Sequence, residues 1–257
     1  MTLKVIVVGA GIAGLCAAVA LRRAGLDVEV ACQVTQAFHI SANASLLQIF
    51  EKSAFATEVG AALSVTPNGA RALTSLGFSF ERARACKIGT WNSLAGRNLE
   101  RVGSIDLSAS EKAFGSAAWT VHRVDLHSEL LYLATTTDIQ DSKPATLRLN
   151  AQVVDSDIQG AVVLSDGSKY FADLVVAADG LHSVLRRKVL TKDTAPLSPP
   201  RETGMSAFRF LVDTETLLGQ PHLATVLERK GPKDAAILID LEDNINERHM
   251  VWYPCRE

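Results

Sequence analysis

Cysteine and aromatic residues are scarce in this sequence and its charge is nearly balanced. Each shortage removes a class of explanation. The four cysteines, Cys16, Cys32, Cys86 and Cys255, lie far apart and form no C-x-x-C pair. That pattern argues against a disulfide framework and a zinc site, and it favours a reducing, cytoplasmic setting. Lys and Arg number 26 against 28 Asp and Glu, for a net charge of -2, so the chain carries neither a nucleic-acid footprint nor a polybasic membrane patch. No internal repeat, low-complexity tract or metal-ligand spacing stands out. Residues 5–21 are uncharged, but three glycines interrupt them and Arg22-Arg23 closes them. The stretch therefore reads as a buried strand followed by a helix rather than a signal peptide or membrane span.

What the chain has is apolar mass: 47% of its 257 residues are hydrophobic, enough to bury one large domain, or one smaller domain and part of a second. Residues 3–8 form a continuous apolar run, as a central parallel strand buried on both faces requires. A helix is predicted over 12–24, ended by Gly25, and a second strand over 27–31. The α/β start is thus β-α-β. Thr66 and Pro67 open a further helix, with the threonine as N-cap and the proline in the first turn, and Gly77 ends it. Residues 86–121 look strand-like and are broken by glycines, and a helix begins near Arg123. Short strands follow between 146 and 178, with turns at Gly160 and Asp166-Gly167. The prolines of 191–200, "TKDTAPLSPP", mark a linker. Beyond it "SAFRFLVD", "ATVLE", "AAILIDLE" and "HMVWYP" are predicted strands of a second, mostly β, region.

The first chemistry-bearing motif is Gly9-Ala10-Gly11-Ile12-Ala13-Gly14, a G-x-G-x-x-G run placed between a strand and a helix. Gly9 permits the tight turn, Gly11 lets a pyrophosphate approach the backbone, and Gly14 lets the helix pack on the strand. The helix N-terminus then faces the phosphates. Units of this shape normally end their second strand on an acid that holds a ribose. Here the predicted strand ends in Ala31-Cys32-Gln33.

Two further strings, "HRVDLHSELL" and "ADLVVAADGLHSVLRR", follow the fingerprint in the order found in one family. The chain resembles the FAD-dependent aromatic hydroxylases of the salicylate and para-hydroxybenzoate hydroxylase type, and most of all their fungal monooxygenase relatives. The resemblance covers nearly the whole sequence. It implies a Rossmann-like FAD-binding domain over 1–190 and a partial, mostly β substrate domain over 201–257, to which the strands of 86–121 also belong in one version of the division. It further implies FAD and NAD(P)H as cofactors, with molecular oxygen and a small aromatic or phenolic molecule as substrates. By the same likeness Arg123 contacts the flavin, and Asp179 and Gly180 serve its ribose and pyrophosphate region and the use of NAD(P)H. Gly60 and Ala61, in "EVGAALSVTPN", line the cofactor. Arg209 in "SAFRF" and Tyr253 in "WYPCR" fall on the substrate side, for an anionic or phenolic group and for proton handling. The plainer readings are a solvated Arg123, an ordinary turn at Asp179-Gly180, an outward-facing Arg209 and a core Tyr253. His122, His127 and His182 beside the motifs read as packing or solvated histidines. No oligomeric state is implied.

The resemblance also relocates the missing acid. Relatives run from the second strand directly into a phrase like the one this chain carries at 50–69, "FEKSAFATEVGAALSVTPNG". Glu51 therefore takes the ribose role by resemblance, with an insert over about 31–49 separating it from "DVEV" at 27–30. Two readings of the insert stand. It is a real excursion in which Ser41 caps a helix, or it is translated intervening sequence that interrupts a strand. The chain also stops before the later substrate-domain strands and the Gly-Asp motif of the family, so an incomplete chain is expected. Two rival functions are another FAD- or NAD-dependent oxidoreductase on the same fold and a truncated, non-catalytic product.

Overall fold

A computed structural model describes residues 3–25, 47–54, 61–139, 143–190, 201–231, 233–242 and 248–256. In chain order the elements begin with β1 (Val5–Val8), α1 (Ile12–Arg23), β2 (Leu47–Phe50), β3 (Ala62–Val65) and α2 (Pro67–Ser75). Next come β4 (Cys86–Ile88), β5 (Thr90–Ala95), β6 (Arg101–Asp106), α3 (Ser110–Phe114), β7 (Ala118–His122) and α4 (Arg123–Thr135). Then follow β8 (Thr146–Arg148), β9 (Val153–Ser156), β10 (Ala161–Leu164), β11 (Lys169–Phe171), β12 (Leu174–Ala177) and α5 (Arg186–Val189). The last are α6 (Thr214–Leu218), α7 (Pro221–Lys230), β13 (Ala235–Ile239) and β14 (His249–Trp252). The described residues form two compact units, one from Met1–Glu58 with His127–Ser206, the other from Val59–Leu126 with Ala207–Glu257.

The first unit is built on a parallel sheet of order β12-β1-β2-β8. Its central strand β1 is wholly buried, with Val5, Ile6 and Val7 at 0% exposure, which explains the unbroken apolar run. Helix α1 packs on this sheet through Leu15, Ala18 and Val19. A second, antiparallel sheet of order β11-β10-β9 meets the parallel sheet in a shared core of Ile6, Val8, Phe50, Val153, Val162, Leu164 and Leu185. Within it the Phe50 and Tyr170 rings lie 4.9 Å apart. Arg22, buried near the end of α1, donates to the carbonyls of Leu133 and Thr136 at 2.8 and 2.6 Å. Those groups end α4 and lack partners within it, so the cation closes the helix where its dipole is negative.

The second unit holds two sheets, of order β3-β7-β4 and β14-β13-β5-β6. In the latter β13 runs parallel to β5, while β14 and β6 are antiparallel additions. As the sequence suggests, α2 begins with Pro67 at its first position and Thr66 extended before it.

Three expectations are corrected. The strand expected over 27–31 lies outside the described residues, and the strand beside β1 is Leu47–Phe50, paired in register from Val5↔Leu47 to Val8↔Phe50. The end of the expected insert, residues 47–49, is therefore sheet, and Glu51 follows its strand without a gap. "ATVLE" is helical, part of α7, where Pro221 at the N-terminus and Gly231 after Lys230 are the start and stop signals of a helix. "SAFRFLVD" carries no strand: residues 201–213 lack regular structure and are exposed. The linker at 191–200 lies outside the described residues.

Candidate functional site

The glycine run lies where β1 turns into α1. Gly9 has φ +102°, and a side chain there would come within 2.3 Å of the Ala178 carbonyl oxygen and 3.2 Å of the Asp179 Cα. Its N–H donates to the Phe50 carbonyl at 2.7 Å. Gly14, in the first turn of α1, would place a Cβ 1.9 Å from the Gly9 oxygen, so helix and loop touch backbone to backbone. Gly11 differs: it caps α1 with φ -72° and ψ -178°, and a side chain there would meet nothing within 4 Å. Two of the glycines are required by the fold itself, whereas the third keeps an approach to the backbone open. Among the described residues no side chain caps α1, and its first turn holds no acid. The positive end of this helix therefore has no side-chain cap among the described residues and favours an anion.

Beside this cradle stands Glu51. Its Oε2 accepts from the Ala10 N–H at 2.9 Å and its Oε1 from the Ser53 N–H at 2.9 Å. An ionised carboxylate offers about four acceptor sites, so two bonds leave room for a donor from a ligand. The Ala10 carbonyl in turn accepts from His127 Nε2 at 2.7 Å, and that histidine is buried. Glu51 thus stands at the tip of β2, its carboxylate held by the residue between the first two glycines.

Asp179 and Gly180 follow β12 and adjoin Gly9. The Asp179 carboxylate is engaged locally: Oδ1 accepts from the Ser183 hydroxyl at 2.6 Å, and Oδ2 accepts from the N–H groups of Val184 and Leu185 at 2.8 and 3.2 Å. It organises the turn that leads into α5, and Gly180 enters that turn with φ +79°.

The other sequence candidates lie in the second unit, apart from Gly60, which is outside the described residues. Ala61 precedes β3, and its carbonyl accepts from the Arg123 N–H at 2.9 Å. Arg123 opens α4 and is half-buried. Arg209 is exposed. Tyr253 is half-buried, with its hydroxyl donating to the Ala62 carbonyl at 2.9 Å. Burial pushes its pKa up and the Arg209 charge pulls the other way. A phenol so placed keeps its proton near neutral pH.

Sequence reasoning passed over Asp125, in the same "HRVDLH" string. Its carboxylate is fixed by Arg84 at 2.7 Å and by a two-point contact with Arg256 at 2.7 and 2.9 Å. Burial pushes this carboxyl up, but the hydrogen bonds and charges of Arg256 and Arg84 outweigh it and hold the pKa below the usual range. The available signal was an acid at a helix start within a recognised motif. Its arginine partners come from distant positions that no local pattern reveals. Among the described residues no cluster of His, Cys, Asp and Glu could hold a metal ion, and no helix is long and apolar enough to cross a membrane.

Residues 7–31 match the NAD(P)-binding Rossmann-like domain. The chain is 34% identical to hispidin-3-hydroxylase of Neonothopanus nambi over 99% of this chain and 56% of that protein. HpxO of Klebsiella pneumoniae, solved with FAD and uric acid, matches 72% of this chain and 41% of its own at 30% identity and a TM-score of 0.53. The tetrameric form of 2-methyl-3-hydroxypyridine-5-carboxylic acid oxygenase covers 100% of this chain and 56% of its own, with a TM-score of 0.65 at 20% identity, a likeness of fold. The chain spans about half the length of the curated relatives it matches.

Proposed function

We propose, for a chain that belongs to the FAD-dependent aromatic hydroxylase family, that its first unit binds the adenosine diphosphate half of FAD and that the whole protein hydroxylates a small aromatic or phenolic molecule with NAD(P)H and oxygen. The observation that carries this reading is the pairing of an open Gly11 with a carboxylate at the tip of β2. When bound, FAD supplies the redox chemistry that activates oxygen, and the protein supplies binding, orientation and electrostatics.

The residues present fit that cofactor. Gly9 and Gly14 bring the loop, α1 and the end of β12 into backbone contact, and the open face of Gly11 with the uncapped helix start accepts the pyrophosphate. Glu51 accepts the ribose hydroxyls with its remaining lone pairs. Asp179 holds the turn after β12 in shape beside Gly9. In the second unit Arg123 meets the flavin, with Gly60 and Ala61 along it. Arg209 attracts an anionic or phenolate group, and Tyr253, kept protonated, orients rather than deprotonates. On this reading 201–257, together with the strands of 86–121, forms the substrate domain and the protein works in the cytoplasm.

Purification of the 257-residue chain with added FAD tests the proposal. Bound flavin released by heat should chromatograph as FAD, because FMN lacks the pyrophosphate that the glycine loop serves. Gly11→Val should abolish its retention. Release of FMN, or retained flavin in Gly11→Val, would refute the assignment. For the whole protein, NAD(P)H consumption coupled to a hydroxylated product is the corresponding measurement.

A further inference from the structure

We infer that His127 is a positioning residue for the phosphate-binding peptide: by holding the Ala10 carbonyl, it turns the Gly11 N–H outward to meet the pyrophosphate. The inference rests on the nucleotide reading given above and names a residue that the glycine fingerprint does not contain.

His127 is 4% exposed, and its Nε2 lies 2.7 Å from the Ala10 oxygen. A carbonyl only accepts, so Nε2 carries the proton and donates. The Ala10 carbonyl and the Gly11 N–H belong to one planar peptide unit. In a trans peptide these two groups point to opposite sides, and the described backbone contains no cis bond. Fixing the carbonyl toward His127 therefore directs the Gly11 N–H away from it. The preceding peptide is fixed as well, because the Ala10 N–H donates to Glu51 Oε2 at 2.9 Å. Residue 10 is clamped on both sides, by an imidazole and by a carboxylate.

The clamp acts where free rotation would cost most. Two glycines flank Ala10, and glycine leaves the backbone its widest choice of orientation. An unclamped peptide would have to be ordered when the anion binds, and that ordering subtracts from affinity. A donor already aimed at its target avoids the loss. His127 thus acts through Ala10 and Gly11, without touching the nucleotide.

The experiment uses the 257-residue chain and its His127→Leu, His127→Gln and His127→Asn variants. FAD affinity is read by quenching of flavin fluorescence, and ADP and adenosine are titrated as competitors. His127→Leu should weaken FAD and ADP by about tenfold, the equivalent of about 1.4 kcal/mol, while adenosine, which has no phosphate, stays within about twofold of the parent. Glutamine places an amide N–H near the position of Nε2 and should restore ADP to within about twofold. Asparagine is one methylene shorter and should behave like leucine. Unchanged ADP affinity in His127→Leu, a parallel loss of ADP and adenosine, or equal ADP affinity in the Gln and Asn variants would overturn the inference. If the leucine variant does not fold, the Gln and Asn pair decides alone. A parent chain that binds neither FAD nor ADP would defeat the nucleotide reading and this inference together, whereas a parent that binds both beside indifferent variants defeats the inference only.

Discussion

One substitution, glycine to alanine, should have three different outcomes at three positions of the same loop. At Gly14 alanine improves intrinsic helix propensity by about 1 kcal/mol. Its Cβ, however, would lie 1.9 Å from the Gly9 oxygen and 3.3 Å from the Ala178 Cβ. Both the loop and the helix are backbone there, so neither yields cheaply, and overpacking of this kind costs about 1–3 kcal/mol or more. The expected net effect is a loss of up to about 2 kcal/mol or more. At Gly9 two penalties combine, the left-handed φ of +102° and a Cβ 2.3 Å from the Ala178 oxygen, for a loss of about 3 kcal/mol or more. At Gly11 the dihedrals suit any residue and the added methyl meets nothing. Only the poorer N-cap remains, at about 0.5–1 kcal/mol. Binding should reverse the order of concern, because on the proposed reading the Gly11 methyl stands where the pyrophosphate approaches and should weaken FAD at least about tenfold. All three tryptophans, Trp91, Trp119 and Trp252, belong to the other unit. Urea unfolding is therefore best followed by hydrogen exchange of β1 and α1, with FAD titration alongside. A Gly11→Ala chain that unfolds as readily as Gly9→Ala, or binds FAD like the parent, would refute the argument.

The remaining predictions concern the acid, the connection before it and the second unit. Glu51→Ala should weaken FAD by about 1.5–3 kcal/mol, roughly ten- to a hundredfold, as loss of a hydrogen bond to a charged group does. Glu51→Gln should fall between it and the parent in the same titration. Deleting residues 28–46 joins Asp27 to Leu47 and keeps β2 and Glu51 intact. FAD affinity should be retained, and loop-closure scaling adds at most about 2 kcal/mol of stability; loss of FAD binding in this variant would show that the deleted residues contribute to the site. Asp125→Asn should destabilise the second unit by about 1–2 kcal/mol, discounted because both arginines are half exposed. Because the folded pKa of Asp125 lies below its unfolded value, its contribution is complete above the usual carboxylate range and fades as pH falls through the folded pKa. The variant and the parent should therefore converge in urea midpoint at low pH.

Elements whose ends carry their own chemical punctuation were legible in the sequence. The glycine turn after β1, Pro67 at the start of α2, and Gly167 between β10 and β11 each state a backbone geometry in one or two residues. What could not be read locally depends on distant partners. The alternation in "SAFRFLVD" describes a surface suited to pairing, but a strand exists only where a neighbour supplies the ladder, and 201–213 has none among the described residues. "ATVLE" is too short for its β-branched residues to outweigh the helix signals on either side of it. His127 reads from sequence as an ordinary packing histidine. Its bond to Ala10 spans 117 positions, and no pattern within α4 encodes it.

The second strand shows the same limit in a form that can be argued to its cause. Two short segments fit that place in the sheet, Val28-Glu29-Val30 and Leu47-Gln48-Ile49, and both alternate apolar, polar, apolar. Their first and third residues would serve equally well. The middle residue differs. In the sheet Gln48 is 3% exposed, and its Oε1 finds no partner among the described residues. A neutral amide so placed is costly, yet a carboxylate such as Glu29 in the same position would cost far more. Continuity acts in the same direction, because Leu47–Phe50 passes straight into Glu51. Phe50, 1% exposed, fills the core beside Tyr170 while Glu51 receives the Ala10 N–H. The segment that pairs with β1 thus joins core and carboxylate without a break, and this places Glu51 beside the glycine loop.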